Sequence, residues 1–89
     1  TIDELLQIFI YQAKVKGIRI REELYPIIRN KIEEKKASPK GLGNARGIEN
    51  LVGKFDSNRF QRIQRILASG IRLDAETIHT FEAEDFEDE

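Results

Sequence analysis

The residues with the clearest chemical potential lie in "GLGNARGIENL", residues 41–51, where Arg46 falls in the first turn of a predicted helix. Asn44 is a favoured N-cap, which makes Ala45 the first helical residue and Arg46 the second. A guanidinium there faces the positive end of the helix dipole, an unfavourable contact of about 0.3–1 kcal/mol when exposed. Two arrangements would compensate. In one, the free N–H groups of the helix start converge with Arg46 on a phosphate or carboxylate, while Gly41 and Gly43 let the main chain approach closely. In the other, Arg46 pairs with a nearby glutamate at the surface. No Walker pattern accompanies the glycines, so this is not a phosphate-binding loop of the P-loop type.

Other chemistry-bearing residues group less tightly. Arg59, Arg62 and Arg65 recur at three-residue spacing, which suits either a phosphate backbone or a solvated helix face. No aromatic residue interleaves with them on that side of the helix and no recognition-helix pattern accompanies them, so the solvated face is the expectation. His79 is the single histidine and is read as a surface residue that cannot build a metal cluster. Glu82, Glu84, Asp85, Glu87, Asp88 and Glu89 lack the glycine and the spacing of a calcium loop, and are expected to form a solvated, mobile tail. The chain has no cysteine, which excludes disulfides, zinc thiolates and a thiol nucleophile. Neither a Ser/His/Asp arrangement nor an acid pair in an apolar setting is legible, so catalysis by this chain alone is not expected.

Charge is divided unevenly along the chain. Residues 74–89 hold 8 of the 16 acidic residues and no Lys or Arg, which leaves a basic body for a net charge of −1. Charged residues make up 35% of the sequence, so a core must come from narrow apolar stripes within one small domain of 89 residues. The apolar runs are too short and too interrupted for a membrane span or a signal sequence. The chain lacks methionine and opens at a helix cap, which reads as a piece of something longer.

The elements that must position these residues are helices. Thr1 and Glu4 have capping-box spacing ahead of "IDELLQIFIYQAKVKG". Leu5, Ile8, Phe9, Gln12 and Ala13 form one stripe, with Leu6 and Ile10 as a second beside it, and Gly17 is a candidate C-terminal cap. Ile18-Arg19-Ile20 reads as a short extended connector. Leu24, Ile27, Ile28 and Ile32 predict a second helix that tolerates Pro26 only in its first turn, ending in the turn residues Ser38–Gly43. A third helix should run from Asn44 to about Ser69 on Ile48, Leu51, Val52, Phe55, Ile63, Ile66 and Leu67, closed by Gly70. Gly47 and Gly53 inside it suggest close backbone packing or a kink. Asp74 is placed to cap a short last helix, "DAETIHTF". The expected class is all-α, a small bundle of three main helices plus a short C-terminal one over residues 1–81, followed by the acidic tail 82–89.

Broad first helix, amphipathic second helix, glycine-rich turn, then "GNAR" opening a long third helix with "IENL" one turn on: this pattern resembles the C-terminal helical lid subdomain of AAA+ ATPases. It is most similar to the group of the sporulation stage V protein K and the red-type rubisco activase CbbX, from "TIDELLQIF" to "LDAETIHTFEAEDF". Glu49 and Gly53 depart from that group's pattern. The resemblance implies that Arg46 is a sensor 2 arginine, with Gly43, Asn44 and Ala45 beside it, reaching the phosphates of ATP. It further implies that ATP and its Mg sit on an upstream AAA+ core of the same polypeptide. It implies neighbouring protomers in a hexameric ring, an unidentified protein substrate and a cytoplasmic or stromal setting, and neither a nucleic-acid nor a membrane partner. The one use foreseen for the second stripe of the first helix is contact with that core or the adjacent protomer. A free-standing helical adaptor and a nucleic-acid-binding bundle are the alternatives.

Overall fold

The computed structural model describes residues 1–38, 41 and 45–87. Four α-helices are present among them: α1 (Ile2–Val15), α2 (Tyr25–Ala37), α3 (Ala45–Ala68) and the single turn α4 (Ala75–Ile78). Short 3-10 turns at Glu22–Leu24 and Ala83–Phe86 complete the order, and no strand is formed among the described residues. The all-α class expected from the apolar spacing is the class observed.

Local signals act as their chemistry predicts. The Glu4 N–H donates to Thr1 Oγ1 at 3.1 Å and closes the capping box that starts α1. Gly17 takes φ +80°, which lets the Ile18 N–H reach the Ala13 carbonyl at 2.9 Å while the Gly17 N–H reaches that of Lys14 at 2.9 Å. That is a Schellman end, and the buried Ala13 and Ile18 supply its apolar contact. Pro26 falls in the first turn of α2, where its missing N–H leaves no bond unmade. Gly70, at φ +91°, closes α3.

The core lies where α1, α2 and α3 meet the C-terminal segment. Phe9 of α1, Phe55 of α3, Phe81 and Phe86 are all fully buried, with ring centroids 5.0 Å apart for Phe81–Phe86 and 5.2 Å for Phe55–Phe86. Leu24, Ile28 and Ile32 from the α2 side, and Ile48, Leu51 and Val52 from α3, surround these rings. The extended connector joins the C-terminal segment through a parallel bridge: Arg19 N–H donates to the His79 carbonyl at 2.7 Å, and Phe81 N–H donates to the Arg19 carbonyl at 2.9 Å.

Four expectations are corrected. Residues 82–87 are not a solvated tail: Asp85 and Phe86 are buried, because two phenylalanines five apart and a paired carboxylate tie this segment to the core. Leu6 is buried and Ile10 is packed against the core, so the second stripe of α1 is absorbed by the bundle itself. The apolar residues α1 does expose are Tyr11 and Val15. Gly53 has open space where a Cβ would stand and α3 runs unbroken through it, so close packing is not its reason. Arg59 and Arg62 are turned inward, which removes the continuous basic face expected of α3.

Candidate functional site

Arg46 stands exposed in the first turn of α3, directly after the exposed Ala45. Asn44 and Gly43, the other members of the expected anion site, lie outside the described residues. The first turn of α3 holds no acidic residue, so the side chains there do not offset the positive end of the dipole. Two residues beyond Arg46, Ile48 is fully buried, and Leu51, Val52 and Phe55 follow it into the core. The helix end that carries the guanidinium is therefore anchored within one turn of the bundle's interior. Gly41, at φ +62°, donates its N–H to the Ser38 carbonyl at 2.9 Å. A cation beside the N–H groups of a helix start is the kind of donor set that a polyphosphate would engage.

The arginines at 59, 62 and 65 do different work from one another. Arg59 donates to Asp56 Oδ1 at 2.9 Å and to the Ile78 carbonyl, so it links α3 to α4. Arg62 engages Asp85 through both carboxylate oxygens, Nε to Oδ1 at 2.8 Å and Nη2 to Oδ2 at 3.1 Å, and reaches the Thr80 carbonyl at 3.1 Å. Asp85 Oδ2 also accepts the Glu82 N–H at 2.9 Å, and Asn58 donates to the Asp85 carbonyl at 2.9 Å. Desolvation of Arg62 opposes its charge, yet the hydrogen bonds and charge of Asp85 leave its pKa raised. Arg65 is exposed. A solvated arginine stripe is thus absent.

Arg62 and Asp85 were not paired by sequence reasoning. Their only legible signal was Phe81 and Phe86 within an acidic run, two large apolar residues that a solvated tail has no use for. A second ionic clasp joins Arg21 to Glu82, with Nη2 to Oε1 at 2.7 Å and Nη1 to Oε2 at 3.1 Å. The Arg21 hydrogen bonds hold the Glu82 carboxyl below its ordinary value. His79 is exposed, with Nδ1 2.8 Å from the Ala75 carbonyl. Among the described residues no group of three His, Cys, Asp or Glu could hold a metal ion, and no helix is long and apolar enough to cross a membrane.

The family model described as the AAA lid domain matches residues 1–89, the whole chain. No curated protein and no solved structure matches it.

Proposed function

Because the chain belongs to the AAA lid domain family over its full length, we propose that it is the lid of an ATP-driven machine that remodels another protein, with Arg46 as the side chain that reaches the nucleotide. The observation that carries the reading is the exposed Arg46 on an acid-free first turn of α3, one turn from the buried Ile48. A cation disfavoured by the helix dipole becomes favourable when a polyphosphate arrives, and its preferred position then depends on whether the γ-phosphate is present. Since α3 is anchored into the bundle, displacement of Arg46 moves the lid as a body, which is how nucleotide state would alter the geometry of a ring. ATP, with Mg held by an upstream AAA+ core, would sit opposite Gly43, Asn44, Ala45 and Arg46; the chain's own contribution is charge and N–H donors.

The similarity to the stage V protein K and CbbX group supports a hexameric assembly in the cytoplasm or stroma with a protein as substrate. Phe60 and Leu67, seven residues apart on α3 and both exposed, together with the exposed Ile71, offer a surface for the AAA+ core or a neighbouring protomer. A nucleic-acid surface is not favoured, because Arg59 and Arg62 spend their charge on Asp56 and Asp85. The test is ATP turnover by the longer polypeptide that joins this lid to its core. Arg46→Ala should lower the turnover rate by about two orders of magnitude, the scale of one charge-assisted contact to a developing phosphoryl charge. The 89-residue chain carrying the same substitution should keep its helical signal. Unchanged turnover in the variant would remove Arg46 from the site.

A further inference from the structure

A groove of about 580 Å³ lies on the side of the connector, well along the chain from Arg46. Ile10, Ile18, Ile20 and Tyr25 give it apolar walls. The connector that forms one of its margins is an extended segment whose isolated bridge uses a single edge. Arg19 spends its N–H and its carbonyl on residues 79 and 81. In a parallel ladder the residues on either side of such a pair direct their groups to the opposite edge. There the Ile18 carbonyl and both main-chain groups of Ile20 have no hydrogen-bond partner among the described residues.

Charge in the groove is unevenly spent. Arg19 is hydrogen-bonded to Glu76 at 2.9 Å, and Arg21 is held by both oxygens of Glu82. Lys14, in the last turn of α1, is the groove's remaining charged side chain and has no partner among the described residues. The two acids are therefore neutralised and one cation is left over.

We infer that this groove takes an extended peptide segment of a partner protein, added as a strand to the free edge of residues 18–20, with an acidic residue opposite Lys14. A peptide residue donating its N–H to the Ile18 carbonyl and accepting from the Ile20 N–H reproduces the bonding Arg19 already makes on the other edge. Its two sequence neighbours then point to the face shared by Ile18 and Ile20, which calls for apolar side chains at alternate positions. The surplus charge of Lys14 selects a carboxylate at the end of the segment beside Ile18. The inference is independent of Arg46 and of ATP.

The test is an NMR titration of the 89-residue chain with a capped pentapeptide, glutamate followed by alternating valine and threonine, against the same peptide with lysine in place of glutamate. The expected result is saturable shifts of the amides of residues 18–21 and 25, with slowed hydrogen exchange of the Ile20 amide. The glutamate peptide should bind about fivefold more tightly than the lysine one, the scale of one partly exposed ion pair. Lys14→Glu, at an exposed position, should invert that preference while leaving the free spectrum dispersed. Absence of saturable shifts in this segment, or equal affinity for both peptides in the wild-type chain, overturns the proposal.

Discussion

Asp85 is 1% exposed and Arg62 6%, and between them they account for most of the polar attachment of the last segment to α3. A buried carboxylate is tolerable only because its oxygens accept from Arg62 and from the Glu82 main chain, so neither partner can be removed alone without stranding the other. Arg62→Ala and Asp85→Ala should each lower unfolding stability by about 3–5 kcal/mol in urea denaturation. The double variant should cost less than the two single losses added together, by at least about 1 kcal/mol. Additive losses would mean that the two side chains act separately. Arg46 differs in place, a cation exposed at the surface in the first turn of α3. Nothing in residue type separates these two arginines; what separates them is burial, since Asp85, 23 residues after Arg62, folds back to cover it while Arg46 stands at the surface.

At the level of elements, the helices were legible because their signals are local. The α1 capping box, the Gly17 end, the Pro26 start of α2 and the Asp74 cap of α4 each act within a few residues, and each is present. Asp74 Oδ1 accepts the Thr77 N–H at 2.7 Å, although α4 stops at Ile78 and does not extend through Phe81. The 3-10 turn at 83–86 was not legible. Its Phe86 and the preceding Phe81 follow neither a helical nor a strand period, and the surrounding acids masked them. Gly53 misled in the opposite direction, since an interior glycine suggested crowding where there is open space. Gly53→Ala should therefore stabilise the chain by about 0.5–1 kcal/mol, read as a raised melting temperature, because it limits the unfolded chain without meeting a neighbour. A destabilised variant would indicate that the helix needs the glycine for its path.

The whole molecule is closed by its last segment. Phe81 and Phe86 complete the core between α1 and α3, while Arg21–Glu82 and Arg62–Asp85 fasten that segment from two sides. This closure has a pH signature. Hydrogen bonding from Arg21 lowers the Glu82 pKa from its ordinary 4.5, and the Thr77 hydrogen bonds lower that of Asp74 from 3.8. Each carboxyl binds its proton less readily folded than unfolded, so their contribution to stability is present above about pH 4.5 and is lost as pH falls through the folded values. Unfolding midpoints measured from pH 7 to pH 2.5 should be level down to about 4.5 and fall below it. Glu82→Gln should flatten part of that fall; an unchanged acid limb would show that the Arg21 clasp contributes nothing.

The same closed body is what gives Arg46 a defined place, and the central claim is that this place is opposite the phosphates of ATP. The most direct measurement is the equilibrium affinity for ATP and for AMP of the longer polypeptide containing lid and core, with and without Arg46→Ala. Loss of a charge-assisted contact to the outer phosphates should weaken ATP binding by about tenfold to a hundredfold and leave AMP binding unaltered. Equal loss for both nucleotides, or no loss for either, would contradict the account.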